Sequence, residues 1–307
     1  MGGYSWSELF SIITMQGFVG LSLFAVLLLM ALGLAIIFGQ MGVINMAHGE
    51  FMAVGAYTVC MASKMVHSYW PGLINTYFLI AIVAAFVVAF LLGWFVEFVM
   101  IRHLYNRPLD TLLATWGLSL IMQQTFRSVF GTREMSATLP DWLMGSYKPT
   151  DSIDIPLNGI FVVGLATFLT LSILFIMFKT RWGIRIRATT QNRAISGAVG
   201  INTKKVDCFT FALGCGIAGV AGAAFTTIGS TGPTSGSLYI VDTFLVVVFG
   251  GAASIMGTIV SAFSIAQGQS ILEFFLTGSM AKVFTLLAIV IFLMIKPQGL
   301  FASKVRR

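Results

Sequence analysis

Charge is what this sequence has least of. Asp, Glu, Lys and Arg together make up 9% of its 307 residues, where a soluble domain carries roughly a quarter. A surface that poor in charge does not keep a globule in water, so an ordinary soluble fold is excluded. A disordered chain needs low hydropathy, and a mean hydropathy of +0.93 excludes that as well. Cysteine is scarce too. Cys60, Cys208 and Cys215 lie in apolar stretches with no C-x-x-C pair, which excludes a disulfide scaffold and reads them as small buried side chains. Enzyme signatures are missing: there is no H-E-x-x-H, nucleophile elbow, phosphate loop or helix-opening GxGxxG, and Ser235 has no histidine placed to form a dyad. The chain is therefore not expected to be an enzyme or to hydrolyse ATP, and energy for work must come from a partner or a gradient.

What the sequence has in quantity is hydrocarbon. Apolar residues are 57% of 307, about 175, and at roughly 20 residues per spanning helix they supply about eight or nine spans. Apolar runs fall at about 12–38, 50–66, 76–101, 111–130, 157–178, 206–229, 238–262 and 280–296. A weaker stretch at 263–277, interrupted by Gln267, Gln269 and Glu273, completes a further crossing. The expected fold is all-α: one polytopic helical membrane domain over residues 1–307, with about 8–9 transmembrane helices, some re-entrant or broken, and two related halves.

The net charge of +7 is distributed by topology. Lys179, Arg181, Arg185, Arg187, Arg193, Lys204 and Lys205 form a basic segment at about 179–205 with no acid, and the tail adds Lys296, Lys304, Arg306 and Arg307. Lys and Arg collect in cytoplasmic loops, so both segments are expected there, and no nucleic-acid partner is implied. The loop at about 131–156 sets Glu134, Asp141, Asp151 and Asp154 against Arg133 and Lys148, a net charge of 2 − 4 = −2 that fits the external side. No basic residue precedes Lys64. The run from Ser11 to Phe38 therefore lacks a signal-peptide n-region and reads as a retained first span with an external N-terminus. An odd number of spans then puts the C-terminus in the cytoplasm.

Glycines within the runs fit close helix packing, because lipid is as apolar as leucine and helices in a bilayer associate through small residues. Two glycine-containing places stand apart because polar groups sit beside them: 39–50 and 229–257. Paired interruptions in corresponding halves point to a transport pathway. In the first, Asn45, His48 and Glu50 fall within six positions. Buried ionisable groups are costly and face an interior, a partner or a wet cavity. These three either satisfy backbone freed by a helix break, with Glu50 capping the next helix, or contact solute. One His and one carboxylate do not make a metal site.

Pro108 and Asp110 open a helix that carries Thr115, Trp116, Ser119, Gln123 and Gln124. Spacings 116/119/123 and 116/120/124 give it a polar stripe, either for interhelical hydrogen bonds or as a pathway wall. In the second interruption Tyr239, Asp242 and Thr243 follow Gly232–Gly236, where Asp242 either starts a helix or meets solute. Glu97 and Glu273 are lone acids expected to be partnered.

The stretch Arg181-Trp182-Gly183-Ile184-Arg185-Ile186-Arg187-Ala188, continuing through Gln191-Asn192-Arg193-Ala194 to Gly200-Ile201, resembles the coupling loop of ATP-binding-cassette importer permeases, in particular the family importing branched-chain amino acids and urea. Asn45–Glu50 resembles that family's early motif and Val248-Phe249-Gly250-Gly251 its late glycine motif, and the likeness extends over nearly the whole chain. Residues 107–117, Thr189–Arg193 and Tyr239–Phe244 look more like the urea permease, and the amino-acid branch typically lacks the acid at Asp242. Many members carry an acid two residues after the loop Asn, where this chain has Ala194.

The resemblance implies a permease subunit that moves urea, or alternatively a branched-chain amino acid, through a cavity between two permease subunits in the bacterial inner membrane. It implies a homologous second permease in a heterodimer, two cytoplasmic ATPase subunits that bind ATP and magnesium, an external binding protein, and no cofactor in this chain. Arg185, Arg187, Gln191, Asn192, Arg193, Gly200 and Ile201 would meet the ATPase. Urea offers four N–H donors and one carbonyl, so acceptors such as Thr115, Gln123, Gln124 and Asp242 suit it without excluding an amino acid. An ATP-independent channel is the alternative of another class.

Overall fold

The computed structural model describes residues 6–105, 107–150, 153–251 and 254–301. Asp151 of the loop at 131–156 and Lys304, Arg306 and Arg307 of the basic tail lie outside the described residues. The chain is a polytopic helical membrane protein. Its elements are α1 (Trp6–Met41), α2 (His48–Tyr69), α3 (Tyr77–Val99), α4 (Pro108–Phe130), β1 (Ser146–Thr150), β2 (Ile153–Pro156), α5 (Leu157–Lys179), α6 (Arg181–Gln191), α7 (Arg193–Ala198), α8 (Thr203–Phe225), α9 (Ser235–Gly250), α10 (Ile255–Phe275) and α11 (Gly278–Ile295). Stretches within or including α1, α3, α5, α8, α10 and α11 are long and apolar enough to cross a membrane. The helices α2 and α4 have the length but carry polar side chains, and α9 is apolar but shorter, at 16 residues.

The core is built on α8, which is buried nearly all round from Val206 to Ala224. Its glycines let three other helices approach backbone to backbone. A Cβ on Gly222 would lie 1.9 Å from the Met52 carbonyl of α2, one on Gly219 2.6 Å from Ala85 O of α3, and one on Gly214 2.7 Å from Gly33 O of α1. With no hydrophobic gain available inside lipid, this shape match is what holds the bundle. The packing maps onto itself when α1, α2 and α3 exchange with α8, α9 and α10. Thus α1 packs on α10 as α8 packs on α3, α2 lies on α8 and α3 as α9 lies on α1 and α10, and α1·α8 and α2·α9 cross at the centre.

Two expectations need correction, and the all-α class holds with one small exception. The run 238–262 is not one element. Gly251 (φ +97°) ends α9, the Ser254 hydroxyl caps α10 by accepting from Gly257 N at 3.0 Å, and the stretch after α11 folds back to donate Leu300 N to Phe249 O at 2.8 Å. Apolar content ran through the break because the glycine at which α9 ends counts as apolar. The all-α class also admits a small exception, the β1–β2 hairpin in the loop at 131–156, with Lys148 Nζ 3.5 Å from Asp154. Finally, α10 continues through the weaker 263–277 stretch to Phe275 as a single helix.

Candidate functional site

Gly42 (φ +65°) turns the chain out of α1, and residues 42–47 bridge to α2. Asn45 holds this bridge, its Oδ1 accepting from Ala47 N at 3.1 Å. His48 Nε2 lies 3.1 Å from Met30 O of α1, and because a carbonyl only accepts, this nitrogen carries the proton. Glu50 does not cap α2, whose N-cap, Ala47, makes no side-chain bond. Glu50 reaches α4 instead, where its Oε1 accepts from Ser119 Oγ at 3.0 Å and Gln123 Nε2 at 2.8 Å. Thr115 completes the contact by accepting from Met46 N at 3.1 Å. Asn45, His48, Glu50 and Thr115 are all buried, yet Asn45 Nδ2, His48 Nδ1 and Glu50 Oε2 have no protein partner among the described residues. Buried polar atoms are nearly always satisfied, so three orphans within six positions set this stretch apart from the apolar packing around it.

On α4 the buried face is Thr111, Thr115, Ser119, Met122 and Phe126, not the stripes through Trp116. Trp116 is 54% exposed, and Gln124 also points away from the cluster. The stripe was displaced because Trp116 is large and amphipathic and reads as polar in sequence, whereas Thr115 makes the contact. Of the candidates in this half, the fold brings together Asn45, His48, Glu50, Thr115 and Gln123, and leaves out Trp116 and Gln124.

The second interruption meets the first. A Cβ on Gly49 would lie 2.1 Å from Gly236 O, and one on Gly236 2.3 Å from Gly49 O, so α2 and α9 cross at their first turns. About 9 Å further along α9, at 1.5 Å per residue, stands Asp242. It is well inside the helix rather than at its start, and its carboxylate pairs with Lys282 Nζ of α11 at 2.7 Å. Lys282 was missed in the sequence, although a lysine near the start of the apolar run 280–296 was the available signal. Gln269 Nε2 donates to Glu273 Oε1 at 2.9 Å nearby on α10. Thr243 spends its hydroxyl on Tyr239 O at 2.6 Å, and Tyr239 packs its ring on Phe225 at 5.2 Å between centroids. Glu97 is partnered as expected, by Arg102 at 3.3 Å.

The basic segment folds as two short helices. Thr180 caps α6, and Asn192 ends it and caps α7, its Oδ1 accepting from Ile195 N at 3.0 Å. Gly200 (φ +88°) ends the pair, and Ile201 N closes the turn on Ser196 O at 3.0 Å. Two arginines are used internally. Arg187 donates to Met177 O, and Arg193 pairs with Asp207 while lying 4.6 Å over the Tyr105 ring. Arg185, Gln191 and Asn192 are exposed, together with the apolar Ile184, Ile195 and Val199 at 59%, 61% and 71%. Isoleucine and valine this exposed beside cations, on short helices that are not spans, form a surface suited to a partner.

Comparison with known proteins decides the family. The family model for the permease component of branched-chain amino acid transport systems matches residues 18–294. The chain belongs to that family. Similar proteins include the high-affinity branched-chain amino acid transport system permease protein LivH of Escherichia coli, 28% identical over 96% of this chain and 97% of its own. The protein of the same name from Salmonella typhimurium is 27% identical over the same shares. A probable branched-chain amino acid transport permease protein LivH of Methanocaldococcus jannaschii is 24% identical over 89% and 88%. No solved structure matches. This permease is thus a transport component and not an enzyme.

Proposed function

We propose that this permease is the membrane subunit of an ATP-driven importer for a branched-chain amino acid in the bacterial inner membrane. The observation that carries the reading is its likeness, over nearly the full length of both chains, to relatives named for that transport. The chemistry at the α2–α4 contact supports it. A zwitterion needs an acceptor for its ammonium and a donor for its carboxylate, and Glu50 Oε2 and Asn45 Nδ2 are one of each without a protein partner. Both are buried in this conformation, so solute reaches them when α4 swings from α2 during the transport cycle.

The α6–α7 surface docks on a cytoplasmic ATPase subunit, with Arg185, Gln191, Asn192, Ile195 and Val199 at the contact, and Asn192 and Gly200 fix its shape. The assembly contains a second, homologous permease in a heterodimer, two ATPase subunits that carry ATP and magnesium, and an external binding protein. The N-terminus lies outside and the C-terminus in the cytoplasm. ATP-driven closure moves the permease only by the difference in docking free energy between its two states.

Urea is the second reading. It is favoured by the segments 107–117, Thr189–Arg193 and Tyr239–Phe244, above all by the acid at Asp242. The test is solute-stimulated ATP hydrolysis by the co-purified complex with its binding protein. Stimulation by leucine, isoleucine or valine supports the first reading, stimulation by urea alone replaces it with the second, and no co-purifying ATPase refutes both.

A further inference from the structure

Between α3, α8 and the start of α6 runs an open groove of 580 Å3. Its wall is aromatic: Phe90, Trp94 and Phe98 come from α3 and Phe209 from α8. Trp182 of α6 closes one end, stacked on Phe209 at 4.6 Å between centroids, while Phe90 meets Phe209 edge-on at 5.8 Å. The rim is basic, with Arg102 in the turn just past α3 and Lys204 and Lys205 in the first turn of α8. The nearby acids are already neutralised, Glu97 by Arg102 and Asp207 by Arg193. Lys204 and Lys205 are exposed and stand in no ion pair among the described residues. The groove therefore carries uncompensated positive charge at one end and hydrocarbon along the rest.

Its length fits a lipid. Phe90 and Phe98 lie about 12 Å apart along α3 at 1.5 Å per residue, most of the depth of one leaflet of a hydrocarbon core about 30 Å thick, and Arg102 lies just past the end of that helix. Aromatic rings below and cations at the boundary match the order of acyl chain and phosphate in that leaflet. A zwitterionic lipid would bring a second cation to a rim with no free acid, whereas an anionic headgroup meets both lysines.

We propose that this groove is a specific site for one anionic phospholipid, its acyl chains along the aromatic wall and its phosphate against Lys204 and Lys205. The site rests on the membrane-spanning fold alone and is independent of which solute is carried. Because Trp182 belongs to α6, the bound lipid also ties the basic segment to the body of the bundle.

The full chain, purified with the subunits it assembles with, is placed in phosphatidylcholine nanodiscs containing a diazirine-bearing phosphatidylglycerol or, at the same mole fraction, a diazirine-bearing phosphatidylcholine. Adducts are mapped by mass spectrometry. The expected result is preferential labelling of the segments around Trp94, Phe98 and Phe209 by phosphatidylglycerol. That preference should fall about five-fold for each lysine removed in Lys204→Gln/Lys205→Gln. It should survive in Lys204→Arg/Lys205→Arg, and in Lys179→Gln/Arg181→Gln, which removes charge outside the groove. Equal labelling by the two lipids, or a preference unchanged in the glutamine variant, would overturn the proposal. So would a groove that neither lipid labels because a protein subunit covers it.

Discussion

Replacing Lys282 with methionine keeps the stem of the side chain and removes its charge, leaving the Asp242 carboxylate without its partner at 2.7 Å. At that separation and an effective dielectric of 20 the gross attraction is about 6 kcal/mol. Two things reduce the net value. The Lys282 side chain is 37% accessible, so part of the field is screened, and both ions lose hydration on burial. A coupling energy of about 2 kcal/mol is expected. Lys282→Met and Asp242→Asn should each destabilise the fold by about 2–3 kcal/mol, and the double variant should cost little more than either single one. Denaturant unfolding of the purified chain in detergent, followed by tryptophan fluorescence, reads all four corners of the cycle. If the two single losses simply add, to within about 0.5 kcal/mol, the pair is not energetically coupled and the reasoning fails. Labelled-solute uptake by the double variant then separates two roles for Asp242: retained transport makes it a bundle tie, and lost transport with recovered stability makes it a pathway group.

The remaining predictions follow from single contacts. Gly222→Ala puts a Cβ 1.9 Å from Met52 O and should cost about 1–3 kcal/mol, while Gly164→Ala, with nothing within 4 Å, should be silent; unfolding of both variants in detergent compares them directly. Glu50→Ala strands the Ser119 hydroxyl as a donor, while Gln123 Nε2 keeps its bond to Ser119 Oγ at 3.1 Å, and should cost about 1–3 kcal/mol, whereas Glu50→Gln keeps the acceptor and should come much closer to wild type. Asn192→Ala removes the α7 cap, a local loss of about 1 kcal/mol. Together with Gly200→Val at φ +88°, it should leave assembly intact yet break the link between ATP hydrolysis and uptake, which parallel hydrolysis and uptake assays would reveal.

How much of this was legible in sequence depended on the range of the interaction. The helical membrane class followed from composition, because 57% apolar residues against 9% charge admit few other solutions. The interruption at 42–47 was visible since Gly42, Asn45 and His48 are local signals in one short stretch. Asp242 was visible as a buried acid, but its partner was not, since Lys282 lies forty residues away on another helix. For Glu50 the sequence left a helix cap or a solute contact open, and only the packing of α4 reveals its bonds to Ser119 and Gln123. The Gly49–Gly236 crossing was equally hidden. Sequence marks small residues but does not say which two meet. The break after Gly250 escaped because glycine counts as apolar while ending a helix as readily as polar residues do.

The most direct test of the account is solute accumulation by the assembled transporter. The permease, its companion permease, the ATPase subunits and the binding protein are reconstituted in proteoliposomes and offered radiolabelled leucine and radiolabelled urea in parallel, with and without ATP. ATP-dependent accumulation of leucine against its gradient is the predicted result. Accumulation of urea alone, or leucine movement that stops at equilibrium and ignores ATP, would contradict it.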